Sequence, residues 1–385
     1  MKLYLVAGEA SGDARGAELM RALRALRSDL EFIGAGGPEM RALAGGDFLD
    51  WADEAVLGIW DVLKKYGYFK AQFDRMLADL ERTRPDALIV IDYPGFNQRL
   101  AKAAQRRLPA MKIINYISPQ VWAWHRGRIP KMARYLDLML CIFPFEKPLY
   151  EQSGLKTVVV GHPLIDTLAG KKLSASRESK LVGLFPGSRE KEVRKIFPTM
   201  VEAARQMHRA DDSLQFCAVA ASPALAVLME PFQRNSANPA GFEFSIATER
   251  AHEMMQRAGA GMVTSGTATL EAAYFGMPLV ILYKVAWLTY VIGKRLVKVE
   301  FLGMPNILAG REIAREFIQE AAQPEPIAAE MLRLLSDPIR REQQQRDLAE
   351  AVGQLGESGA AVRAAAAISE ELGWSPKRQG TSSTR

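Results

Sequence analysis

Short apolar runs rich in β-branched residues alternate along the chain with longer amphipathic stretches, which predicts βαβ units around a parallel sheet. In the first part strands are predicted at 3–7, 31–34, 87–91, 112–116, 138–142 and 157–160, with helices at 14–26, 69–82 and 97–107. Residues 168–180 are polar and lack the alternation, the composition of a linker. The pattern restarts with strands at 181–185, 214–219, 242–246, 261–264 and 279–282. Beyond Arg311 it predicts helix only, broken at Pro324 and Pro338. The expected organisation is a first α/β domain over 1–167, a second over 181–340, carboxy-terminal helices over 341–374 and a disordered tail over 375–385. Halves of this kind bind ligands beyond the carboxyl ends of their strands, and the cleft between them is the expected active site.

Composition narrows the class. At about 150 residues per domain, 385 residues allow roughly two to three. With 48% hydrophobic and 24% charged residues the chain is an ordinary globular one, not a fibrous or disordered one. Its two cysteines, Cys141 and Cys217, both stand in apolar runs, so neither a disulfide framework nor a cysteine-based zinc site is expected, and a reducing, cytoplasmic setting is. The amino terminus turns polar at Glu9, too early for a secretory signal. Charge-free stretches such as 285–293 fall short of the roughly 18 residues of a membrane span. Half of the +6 net charge comes from Lys377, Arg378 and Arg385 in the tail. The other basic residues are dispersed and no nucleic-acid motif is present, so nucleic acid is not an expected partner. Histidines 125, 162, 208 and 252 are scattered, and no metal site is expected.

Candidate chemistry collects after the strands. Gly8-Glu9-Ala10-Ser11-Gly12-Asp13 leads from the first strand into a helix; its glycines let backbone approach a ligand, or simply make a tight turn. Asp92 ends another strand, where a carboxylate suits a general base and equally a turn or helix cap before Pro94. Trp122 and Trp124 lie beside His125 and Arg126, with faces suited to a sugar or acyl chain or to core packing. His162 again follows a strand, as a ligand contact or a structural histidine. In the second half, Gly187-Ser188-Arg189 at a helix start reads as a phosphate site, because a cation there opposes the helix dipole unless an anion binds. Ser265, Gly266 and Thr267 open another helix with hydroxyls for phosphate or for capping, and Glu271 one turn in suits ribose hydroxyls. Residues 57–70 carry Trp60, Lys64, Lys65 and Phe69, the composition of an interfacial segment, with core packing as the alternative.

Taken together these motifs resemble the lipid-A-disaccharide synthase family, glycosyltransferases of the two-Rossmann-domain (GT-B) type. The resemblance runs from about Leu3 to the helices past Arg311. It rests on Val6-Ala7-Gly8-Glu9-Ala10-Ser11-Gly12-Asp13, Ser118-Pro119-Gln120-Val121-Trp122-Ala123-Trp124, Pro144-Phe145-Glu146-Lys147, Pro186-Gly187-Ser188-Arg189, Lys294-Arg295-Leu296-Val297-Lys298 and the run from Pro305 through Asn306 and Arg311 to Glu312. It implies two Rossmann-like domains facing across a cleft, with transfer from UDP-2,3-diacylglucosamine to 2,3-diacylglucosamine 1-phosphate, inversion, release of UDP and a β-1,6-linked product. No metal or organic cofactor is implied, and a homodimer at the inner-membrane surface is. By resemblance Asp92 is the essential aspartate, Arg189 the phosphate-side arginine, and Asn306 and Arg311 the late motif of the nucleotide side. Gly8, Glu9, Ser11, Gly12, Asp13, Trp122 and His162 are the acceptor-side candidates. Gly95 stands where many relatives carry a second acid, a departure from the pattern. The rival readings are a UDP-sugar 2-epimerase of the same build and a non-enzymatic peripheral membrane protein.

Overall fold

The structure, a computed structural model, describes residues 1–45, 48–51, 66–173, 176–234, 241–284 and 300–374. Trp60, Lys64, Lys65, the motif 294–298 and the tail 375–385 lie outside the described residues. The chain divides into two compact units, Met1–Asp166 with Glu357–Arg385, and Thr167–Gly356.

In the first unit β1 (Lys2–Ala7), β2 (Glu31–Gly36), β3 (Phe48–Asp50), β4 (Ala87–Ile91), β5 (Lys112–Tyr116), β6 (Leu138–Cys141) and β7 (Thr157–Val159) form one parallel sheet in the order β3-β2-β1-β4-β5-β6-β7. All five residues of β4 are buried, as expected of an unbroken apolar run covered on both faces. The order reverses between β1 and β4, and the loops after those two strands therefore border the crevice where such sheets bind ligands.

The second unit repeats the plan with β8 (Glu178–Phe185), β9 (Gln215–Ala220), β10 (Ser245–Thr248), β11 (Ala258–Thr264), β12 (Leu279–Tyr283) and β13 (Glu316–Ile318) in the order β10-β9-β8-β11-β12-β13, all parallel. Here the switch falls between β8 and β11. Its core is built from the buried face of the helix Glu190–Ala210 (Val193, Ile196, Phe197, Met200) against the strands and the helix Pro324–Ser336.

Four expectations change. Strands β3 and β13 are short edge strands of three residues, too short to show a period, so the region past Arg311 is not helical throughout. The strand expected at 242–246 begins at Ser245, while Phe242 and Phe244 enter the core from the preceding segment. The polar stretch around residue 170 is anchored: Arg177 donates to the carbonyls of Met255, Ala258 and Phe275. The final helix, Ala360–Glu371, packs on the helix Ala10–Leu26 of the first unit. The Asp166 carboxylate accepts the N–H groups of Gly359 and Ala360 at its start, and Lys112 and Lys156 meet Glu371 at 2.9 and 3.1 Å. Helix Pro338–Gly353 stays with the second unit, its Gln344 bonded to both backbone groups of Leu279. The helices grouped at 341–374 thus serve two different cores.

Candidate functional site

In the first unit Asp92 directly follows β4, and its N–H donates to the carbonyl of Tyr116 at the end of β5. Asp92 and Tyr93 both have left-handed backbone, φ 49° and 46°, a conformation that costs a non-glycine residue on the order of 1–2 kcal/mol. Desolvation raises the Asp92 pKa, partly offset by the N–H of Tyr93. The helix Pro94–Arg107 follows, and its Asn97 is fully buried. The Asn97 amide nitrogen donates to the carbonyls of Ile91 at 3.0 Å and Asp92 at 2.8 Å. Across the switch point, Gly8 is pressed against the Tyr93 ring: a Cβ there would lie 2.3 Å from Cδ1, which only glycine avoids. Burial and the nearby Glu9 charge push the Tyr93 phenol up. Glu9 is half-buried and Ser11 exposed, so the β1 loop and the Asp92 turn make one polar rim beside a desolvated carboxylate.

Several acceptor-side candidates are committed to the fold. Gly12 packs against Ala7 at the start of the first helix. Asp13 is buried and accepts the N–H groups of Gly37, Glu39 and Met40 at 2.9–3.0 Å, capping the helix Pro38–Ala44 from a distant part of the chain. Trp122 is buried, with its indole N–H on Glu146 Oε1 at 2.9 Å; Trp124 is the exposed indole of the pair. His162 Nδ1 accepts the N–H of Leu164 at 3.0 Å, which places the proton of the neutral ring on Nε2. Burial, then the charge of Arg15, lowers its pKa to about 4. Of the membrane-contact candidates, Phe69 turns its ring edge-on to the buried Trp51 and packs against the core.

In the second unit the two strands at the switch deliver two helix starts to one cavity of about 320 Å³. After β8, Gly187 takes φ 108°, and a Cβ there would meet the Glu192 carboxylate at 2.7 Å. Arg189 occupies the cap position of the helix Glu190–Ala210, exposed and paired with Glu192 at 2.9 Å. After β11, Gly266 at φ 152° precedes the helix Thr267–Tyr274, and neither helix start has a side-chain cap. Gly187, Ser188, Arg189, Ser265, Gly266, Thr267 and Glu271 all line this cavity. Ser265 spends its hydroxyl hydrogen on the carbonyl of Leu302 at 2.9 Å, and Glu271 lies 3.4 Å from His252 Nε2. Uncapped N–H groups at two helix starts, with an arginine in the same lining, are an arrangement that favours an anion.

The late motif does not join it. Asn306 is fully buried: its nitrogen donates to Ala314 O and Glu316 Oε1, and its oxygen accepts the N–H groups of Ile313 and Ala314. Every polar group of that amide serves the turn leading into β13. Arg311 makes a two-pronged pair with Asp347 at 2.9 and 3.2 Å. Neither residue lines the anion cavity. A larger cavity of about 760 Å³ lies beside Asp347, but its charges are internally paired, Arg333 and Arg340 with Glu330 and Arg315 with Glu312, and Asp337 already caps the helix that starts there.

Sequence reasoning missed Thr264, Asn97 and the role of Glu146. Thr264 ends β11 in the cavity wall, with a buried hydroxyl that finds no partner among the described residues. Asn97 stands in helical register with the buried Ala101 and Ala104, so a polar residue on an apolar face was the available signal. Among the described residues no group of three or more His, Cys, Asp or Glu is arranged to hold a metal ion.

A family model described as lipid-A-disaccharide synthetase matches residues 3–370. The chain belongs to that family. A lipid-A-disaccharide synthase of Trichlorobacter lovleyi is 43% identical over 344 residues, covering 87% of this chain and 88% of the relative. Another, of Geobacter metallireducens, is 40% identical over 97% of each chain. Solved structures share the fold at low identity: a putative UDP-N-acetylglucosamine 2-epimerase from Listeria monocytogenes has TM-score 0.63 at 14% identity over 97% of this chain and 96% of that one. MurG from Acinetobacter baumannii has TM-score 0.59 at 13% identity, over 96% and 99%. The two-domain GT-B-like fold is thus common to epimerases and transferases, and family membership separates them: this chain is a glycosyltransferase of lipid A synthesis. No described helix is long and apolar enough to cross a membrane.

Proposed function

We propose that the chain transfers 2,3-diacylglucosamine from its UDP donor to a hydroxyl of 2,3-diacylglucosamine 1-phosphate with inversion, yielding the β-1,6-linked disaccharide 1-phosphate and UDP. The observation that carries the site assignment is the matching position of the two residue sets, one at each sheet's switch point. On the first unit Asp92 accepts the proton of the attacking hydroxyl as it closes on the anomeric carbon opposite the leaving UDP. A carboxylate desolvated enough to have a raised pKa is a stronger base for that step, and such proton transfer contributes about 10² to 10⁴-fold in rate. Glu9 and Ser11, on the rim beside it, hold the acceptor sugar.

On the second unit the helix starts at Ser188 and Thr267, with Arg189, stabilise the charge gathering on the diphosphate as the glycosidic bond breaks. Freed from Glu192 by the competing anion, Arg189 turns to the phosphates. The Thr264 hydroxyl supplies a further polar contact inside the cavity, and Glu271 accepts hydrogen bonds from ribose hydroxyls. Asn306 and Arg311 do not line this cavity and are left out of the proposed nucleotide contacts.

The same reading puts the enzyme at the cytoplasmic face of the inner membrane, where diacylated substrates reside, with residues 57–70, except the core-packed Phe69, as the contact and a homodimer as its assembly. Incubation with the two diacylated substrates, followed by mass analysis, tests the reaction. The expected products are the disaccharide 1-phosphate and UDP; an epimerised UDP-sugar, or no disaccharide, would sink the proposal.

A further inference from the structure

We infer that Asn97 is the positioning residue of the acceptor side, clamping the left-handed Asp92–Tyr93 turn through the carbonyls of Ile91 and Asp92. The inference rests on the reading of Asp92 as base.

Three observations carry it. First, two consecutive non-glycine residues at positive φ persist only where the surroundings over-determine them, and here the second is the wedge against Gly8 and the first bears the carboxylate. Second, the Asn97 nitrogen reaches the carbonyls on both sides of the strand end, at 3.0 and 2.8 Å, and lies 3.4 Å from the Val6 carbonyl on β1. One amide therefore ties the Asp92 turn to both strands of the switch point. The orientation of the amide follows from its surroundings, since reversing it would face Oδ1 toward three carbonyl oxygens. Third, Asn97 is fully buried and its Oδ1 has no hydrogen-bond partner among the described residues, an unfavourable arrangement that an alanine or leucine at this helical position would avoid. The fold keeps the orphan acceptor together with the two donors.

The consequence is geometric. A base works at hydrogen-bond distance from the proton it takes, and a displacement of about 1 Å can cost on the order of a hundredfold in rate. The clamp holds the carboxylate in its desolvated place beside Tyr93, whose ring packs against Gly8 of the β1 loop.

The test uses the full chain with Asn97→Ala, Asn97→Ser and Asp92→Asn, measuring rate against pH and UDP affinity. Asn97→Ala should lower kcat by about tenfold to a hundredfold, leave UDP binding unchanged, and move the acid limb of the pH profile to lower pH, because a freed Asp92 carboxylate regains water and its pKa falls. Asn97→Ser, keeping one donor, should fall between. Should Asn97→Ala not fold, Asn97→Ser takes its place with the same readouts: a reduced kcat, unchanged UDP affinity and an acid limb moved to lower pH. Folded Asn97 variants with wild-type kcat, or with reduced kcat and an unmoved pH profile, overturn the positioning role while leaving the base reading intact. An active Asp92→Asn overturns both.

Discussion

The indole N–H of Trp122 donates to Oε1 of Glu146 across 2.9 Å, while Oε2 of the same carboxyl accepts the N–H of Phe143 at 3.1 Å. Burial drives the Glu146 pKa up from 4.5 to about 7, the hydrogen bonds offsetting it only in part. An acid whose pKa is higher folded than unfolded adds stability below the unfolded value and loses it as pH rises to the folded one. Between about pH 4.5 and 7 the wild type should therefore lose on the order of 3 kcal/mol relative to Glu146→Gln, which cannot ionise. Thermal unfolding of both proteins over that range measures it; a constant difference in Tm would mean that Glu146 does not titrate there.

Asp92→Asn should leave the fold and UDP affinity intact and lower turnover at saturating substrate at least about a hundredfold, the loss expected for a base. Near-normal turnover would reduce Asp92 to a turn residue.

Arg189→Ala should weaken UDP and donor binding, and Glu271→Gln should weaken UDP more than free diphosphate, because the carboxylate is assigned to the ribose. Calorimetric titration with each ligand distinguishes the two effects. Unchanged affinity in either variant removes that residue from the nucleotide site.

Asn306→Ala should act on stability rather than on nucleotide. It strands the N–H groups of Ile313 and Ala314 and removes two donors, at a cost of about 1–3 kcal/mol or more. Denaturant unfolding should show the loss while the UDP dissociation constant of the folded protein stays unchanged. A weakened affinity with unaltered stability would return Asn306 to the ligand site.

For the membrane contact, the variant carrying Trp60→Ser, Lys64→Glu and Lys65→Glu should stay folded and remain in the supernatant when sedimented with anionic vesicles. Each lysine near such a surface is worth about 1 kcal/mol. Undiminished vesicle binding would place the contact elsewhere on the chain.

What the sequence by itself determined is local. An apolar β-branched run, a loop of glycines and hydroxyls and an amphipathic helix are written within a few tens of residues, so most strands, both switch-point loops and the positions of Asp92, Arg189 and Glu271 beyond their strands are legible along the chain. What the tertiary structure decided is which polar groups remain available once partners far along the chain have claimed theirs. Asp13 finds its donors 24 to 27 residues on, Trp122 its acceptor 24 residues on and Arg311 its carboxylate 36 residues on. Each looks like a site residue in the motif and is satisfied in the fold. Asn97, Glu146 and Thr264 show the reverse: their importance comes from burial, which raises the cost of any unmet hydrogen bond or charge, and burial is set by packing that no local pattern contains.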